Sequence, residues 1–166
     1  MRPPDIPLEN IVSLEPVCLR ATVPESCRDS NGHMNVRWYL ALFDDASDVL
    51  HGWMGLTVAY HQAHGTGTFD LEHHIHYLNE VMPGEAVAVY VRFVAQSAKR
   101  LHYVMFLVNE TRGSLAAILE CMNAFADLRL RKTAPFPPDA AAKIAEGVAA
   151  HGKLDWPPPL SGAMRV

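Results

Sequence analysis

From Tyr39 to Trp53 apolar residues recur at three- and four-residue steps. Tyr39, Leu42, Phe43, Ala46, Val49, Leu50 and Trp53 fall on one helical face, with Arg37, Asp44, Asp48 and His51 opposite. The spacing predicts a long amphipathic helix from about Val36 to Trp53. Before it, Pro16 to Val23 alternates as a short strand. From Thr68 to Tyr77 the period drops to two: Phe69, Leu71, His73, Ile75 and Tyr77 point one way, and Asp70, Glu72, His74 and His76 the other. Pro83-Gly84 makes a turn, and Val87, Val89, Val91 and Phe93 give the inner face of the next strand. Gln96 to Arg100 is a polar connection. Leu101 to Val108 and Leu115 to Leu128 are two further strands, parted by the glycine-bearing turn Asn109-Glu-Thr-Arg-Gly113. Gly55 to Gly67, with His61 and His64, reads as a loop. The alanine-rich run from Pro138 through Ala150 reads as a helix, ended by Trp156-Pro-Pro-Pro159.

One strand, one long helix and four consecutive strands describe an α+β fold, an antiparallel five-stranded sheet around a single central helix. Such a sheet leaves an edge strand that needs cover, and pairing with a second copy supplies it, so a homodimer or a dimer of dimers is expected. At 166 residues, 49% hydrophobic and 19% charged, the chain suits one domain with a substantial core. Residues 1–135 form that domain, with its core at about 16–130, and residues 136–166 a C-terminal helix and proline-rich tail. Prolines gather in Arg2 to Pro7 and Pro135 to Pro159, which marks extended arms around the folded centre. A formal charge of -4 argues against a nucleic-acid or anionic-membrane partner. No apolar run is long enough for a signal peptide or a membrane span. Cys18, Cys27 and Cys121 are odd in number and lack metal-like spacing, which suits reduced thiols in the cytoplasm.

The densest chemistry lies in Asp29-Ser-Asn-Gly-His-Met-Asn35, which sets a carboxylate and turn formers directly before the long helix. Free N–H groups and the positive dipole end at a helix start attract negative charge developing on a carbonyl oxygen. A free aspartate, with a pKa of about 3.9, is ionised at neutral pH and available as nucleophile or as base for a water. In the plainer reading Asp29 and Asn31 only make turn hydrogen bonds, Asn35 caps the helix, Tyr39 is core and His33 is a satisfied donor.

The Asp29-x-x-Gly32-His33-x-Asn35 turn, the Tyr39 to Ala46 start of the helix and the Lys99-Arg100 turn resemble the hotdog-fold acyl-CoA thioesterases, in the 4-hydroxybenzoyl-CoA thioesterase-like branch. The resemblance covers roughly Pro16 to Leu130. It implies Asp29 as the catalytic carboxylate and a backbone N–H at about Asn35 to Arg37, including Val36, that polarises the thioester carbonyl. Gly32, His33 and Asn35 would belong to the same constellation. Lys99 and Arg100 match a basic turn that meets the phosphates of coenzyme A, chemistry that clustered cations fit. Leu71-Glu-His-His-Ile-His-Tyr-Leu-Asn-Glu80, Lys99-Arg-Leu-His102 and Leu119-Glu-Cys-Met122 are similar to a subgroup linked to carnitine and betaine breakdown, which adds betainyl-CoA to the small and medium acyl-CoA substrates considered. Trp38 and Trp53 could hold a quaternary ammonium, although both read more simply as core or interface aromatics.

Another hotdog branch uses a glutamate, which brings in Glu72; beside three histidines it serves equally as a partner that orients them. His74-x-His76-x-x-x-Glu80 carries three possible metal ligands on one strand face and opens a cupin-like pattern, but no second cupin motif follows and the long helix suits a cupin poorly. Those histidines read as a polar sheet face or dimer contact, and no metal or cofactor is assigned. An acyl-CoA binder without turnover, or a dehydratase-like relative, is the alternative to a hydrolase. There is no Gly-x-Ser-x-Gly for a serine triad.

Overall fold

The structure, a computed structural model, describes residues 6–166. Most of the expected Arg2 to Pro7 arm therefore lies outside the described residues. The elements run α1 (Leu8–Val12), β1 (Val17–Thr22), a 3-10 turn (Glu25–Cys27), α2 (Val36–Trp53), α3 (Val58–His64), β2 (Thr66–Tyr77), β3 (Ala86–Gln96), β4 (Arg100–Asn109), β5 (Ser114–Asp127), β6 (Lys132–Thr133) and α4 (Pro138–His151). The five long strands, the number expected, hydrogen-bond in the order β1-β3-β4-β5-β2, and the two-residue β6 adds to β5. β1 runs antiparallel to β3 with Leu19 opposite Val89. No helix among the described residues is long and apolar enough to cross a membrane.

The long helix has the predicted bounds, but its buried face differs. Tyr39, Phe43, Ala46 and Leu50 are buried, whereas Val49 stays 49% exposed, and His51, expected opposite the apolar stripe, is buried. The loop expected over Gly55 to Gly67 contains α3. Thr57 caps it through Oγ1, which accepts from the Tyr60 N–H at 3.1 Å, and Gly65 closes it with φ +65. α1, a five-residue helix just after the Arg2 to Pro7 stretch, was not anticipated. β2 is an edge strand with no buried residue along its length, so its predicted two-faced alternation is not realised as burial.

The chain forms two compact units. One comprises the chain up to Val49 with Ile75–Val91 and Met105–Leu119, the other Leu50–His74, Arg92–Val104 and Glu120–Val166. In the first, the Glu85 carboxylate ties the turn before β3 to the β4–β5 hairpin. It accepts from the Met82 N–H at 2.7 Å and from Asn109 Nδ2 at 2.7 Å, and pairs with Arg112. Burial pushes the Glu85 carboxyl up, but these donors outweigh it and hold it below the usual carboxylate range.

In the second unit residues 136–166, expected as an appendage, are part of the packing. Phe93 donates its N–H to His151 Nδ1 at 2.8 Å, and the buried Arg92 guanidinium stacks 3.9 Å from the Trp156 ring centroid. His102 Nε2 meets Glu120 Oε1 at 2.9 Å with both residues buried, and the Ser161 N–H donates to Glu120 Oε2 at 2.7 Å. Every residue of β3 from Val87 through Phe93 is buried, where only one face had been expected to be.

Candidate active site

The Asp29 loop is shaped by its own backbone. Arg28 and Met34 pair as an isolated antiparallel bridge, so the five residues between them close on themselves. The Asp29 N–H donates to the His33 carbonyl at 2.9 Å, and the Gly32 N–H to the Asp29 carbonyl at 3.1 Å. The Arg28 guanidinium donates to the Gly32 carbonyl and pairs with Glu25. Gly32 takes φ +91, a left-handed geometry that an L side chain adopts only under strain. A Cβ there would meet Arg28 Nη1 at an ordinary 3.8 Å, so the penalty for adding one is conformational and not steric. Gly32→Ala should therefore destabilise the protein by about 1–2 kcal/mol in urea unfolding, and a change under about 0.3 kcal/mol would contradict this account of the loop.

The loop fixes one carboxylate oxygen and leaves the other for chemistry. Asp29 Oδ1 accepts from the Asn31 N–H at 2.7 Å, the Asx-turn bond of the plainer reading. Oδ2 lies 3.4 Å from His33 Nδ1, with the Asp29 side chain 15% exposed. At the helix start Asn35 is tied on both sides: its N–H donates to the Cys27 carbonyl at 2.9 Å and its Oδ1 accepts from the Arg37 N–H at 3.2 Å. Of the three amides expected there, those of Asn35 and Arg37 are thus occupied. For the Val36 N–H no acceptor is recorded among the described residues, as befits a first-turn amide with no intrahelical partner.

Asp29, His33, Asn35 and Val36 line a cavity of about 510 Å³ whose other wall is Tyr39, Tyr77, Asn79 and Glu80. The second wall, reached through long-range bonds, was missed in the sequence. The Tyr39 hydroxyl donates to the Asn79 carbonyl at 3.2 Å, the Met34 N–H to the Val81 carbonyl at 2.7 Å, and Asn79 Nδ2 to the Leu115 carbonyl at 2.8 Å. Tyr39 and Tyr77 pack edge to face with ring centroids 5.3 Å apart. The charged side chains lining the cavity include two carboxylates, Asp29 and Glu80, the second 3.5 Å from Arg112.

The other expected residues lie elsewhere. Glu72 is exposed on β2 and is not among the residues lining this cavity. Lys99, in the turn before β4, and Arg100, the first residue of β4, are exposed, and Lys99 Nζ donates to the Thr133 carbonyl at 3.4 Å. Neither tryptophan lines it: Trp38 carries the Arg37 guanidinium 5.1 Å from its centroid, and Trp53 carries Lys143 Nζ at 5.9 Å. Both rings already face cations of the chain itself.

The thioesterase-like superfamily profile matches residues 23–144. A betainyl-CoA thioesterase of Pseudomonas aeruginosa is 33% identical over 129 residues, 78% of this chain and 81% of its own length. An L-carnitine dehydrogenase/betainyl-CoA thioesterase of Rhizobium meliloti shows the same identity over 78% of this chain, which spans about a quarter (26%) of that longer protein. Among solved structures, a hypothetical protein of Staphylococcus aureus in complex with CoA superposes with a TM-score of 0.81 at 25% identity, covering 92% of this chain and 97% of that one. A putative thioesterase of Pseudomonas putida gives 0.75 at 28% identity over 90% and 96%.

Proposed function

The chain belongs to the thioesterase-like superfamily and has the α+β hotdog fold, and on that premise we propose that it hydrolyses an acyl-CoA thioester to the free acid and CoA. The observation that carries the reading is the convergence of Asp29 and Val36, the first residue of α2, on one cavity. Asp29 Oδ2 delivers the attack on the thioester carbonyl, either directly or by taking a proton from the attacking water. The Val36 N–H, at the positive end of an 18-residue helix, stabilises the oxyanion as the tetrahedral centre forms. His33 holds Oδ2 from the loop side. The reaction needs water and the thioester, with no cofactor.

Lys99 and Arg100 are the cations we assign to the CoA phosphates. The exposed edge of β2, with Phe69, Leu71 and Tyr77 each between 46% and 51% exposed, fits pairing with a second copy, as a homodimer or dimer of dimers. Three buried, unbridged cysteines suit a cytoplasmic setting.

For the acyl group we favour a quaternary ammonium such as betainyl. Two tyrosine rings and two carboxylates suit a cation that has no hydrogen-bond donor, and the curated relatives carry that substrate in their names. Free CoA release measured over short, long, aromatic and betainyl thioesters tests the proposal, with betainyl-CoA expected to turn over best. Binding without release from any member would leave an acyl-CoA binder instead. Tyr77→Leu and Glu80→Gln should each raise KM for betainyl-CoA by about 2–5-fold, the worth of a cation contact at a half-exposed site, and leave a neutral short-chain thioester unchanged. An equal loss on both substrates would remove the cation from the account.

A further inference from the structure

Where β2 and β5 lie side by side, a second cluster stands outside the catalytic loop. A regular strand would send Asp70 and His73 to opposite faces. Here they meet, with His73 Nε2 2.9 Å from Asp70 Oδ2. From β5, Asn123 Nδ2 donates to Asp70 Oδ1 at 2.6 Å, and the Cys121 thiol hydrogen-bonds the same carboxylate. One imidazole nitrogen, one carboxylate oxygen and one sulfur lie within 4.8 Å of one another.

From this convergence we infer a binding site for a zinc-class divalent cation, ligated by Asp70, His73 and Cys121, that staples the edge strand β2 to β5. Nitrogen, oxygen and sulfur donors together suit an ion of borderline softness, and three protein ligands leave a further position for water. The Asp70 and His73 side chains are 27% and 28% exposed, which gives an ion a way in, while Cys121 is buried at the inner end. Asn123 stands where an outer partner orients a ligating carboxylate, since it holds Oδ1 and leaves Oδ2 toward His73. Its own Oδ1 is buried with no hydrogen-bond partner, an orphaned acceptor at the cluster itself. Ion entry exchanges the Cys121 thiol proton for a metal–sulfur bond, and that proton passes to solvent. The ion is structural, and thioester hydrolysis does not pass through it.

Titration of the chelator-treated full chain with Co2+ tests the site. One equivalent should bind with a near-ultraviolet thiolate-to-cobalt charge-transfer band and release of one proton, and Zn2+ should compete and raise the melting temperature. Cys121→Ser should abolish the band, and Asn123→Leu should weaken binding by about 10–100-fold. A Cys18→Ser/Cys27→Ser chain and His64→Asn should keep both band and affinity. Should Cys121→Ser fail to fold, His73→Asn decides, because that side chain is partly exposed and its loss should also remove the band. No thiolate band in the parent chain, or stoichiometric binding that survives His73→Asn, would overturn the site and leave adventitious histidine binding.

Discussion

Asp29→Asn should lower kcat for the best acyl-CoA of the panel by about 10³-fold, with KM nearly unchanged and the urea midpoint close to that of the parent chain. The separation of activity from stability follows from how the loop uses the two oxygens. Oδ1 accepts from the Asn31 N–H, and an asparagine retains an oxygen for that bond, so the turn keeps its geometry. What disappears is the anionic Oδ2 near His33, the atom assigned to the attack. Loss of about 10³-fold corresponds to about 4 kcal/mol of transition-state stabilisation, within the range of one general base. Activity within tenfold of the parent would move the attack elsewhere, and Glu72 would be the next carboxylate to replace. A fall in stability alongside activity would return Asp29 to the plainer role of holding the turn.

The residues legible in the sequence were those whose partners are close in sequence. Asp29, Gly32, His33, Asn35 and Val36 lie within eight positions, so turn chemistry and the helix start could be read together. The bounds of α2, an 18-residue helix that begins just after Asn35, followed from apolar residues recurring at three- and four-residue steps from Tyr39 to Trp53. Tyr77, Asn79 and Glu80 lay beyond that reach. They arrive about 40 positions later, through bonds such as Tyr39 to Asn79, which no periodicity encodes. The first part of the cavity could thus be read and its opposite wall could not. α3 was missed although both its signals, Thr57 before and Gly65 after, stand in the chain: seven residues are too few to show a period. Arg92 and His102 were hidden for another reason. A strand buried on both faces shows no alternation, and residues from α4 and the tail, far along the chain, cover the second face.

The largest stability effect should come from that covered face. Glu120 is 1% exposed, and its charge is held by His102 at 2.9 Å and the Ser161 N–H at 2.7 Å. His102→Ala should cost about 3–5 kcal/mol, because it breaks a buried pair and leaves the Glu120 carboxylate without its imidazole partner. Replacing both groups by packed apolar ones, His102→Leu with Glu120→Met, should cost much less, since the desolvation of both groups disappears with them. The pH arm separates charge from shape. Burial pushes the Glu120 carboxyl up, but Ser161 and His102 outweigh it and leave it below its ordinary value. A carboxyl lowered in the fold stabilises above its unfolded pKa, about 4.3 for glutamate, and that contribution fades as pH falls through the lower folded value. The stability gap between the parent chain and Glu120→Gln should therefore be full at pH 7 and shrink steadily below about pH 4. Urea unfolding of the two chains side by side cancels every other titrating group they share, so a gap that persisted in acid would mean that Glu120 acts through its fit alone.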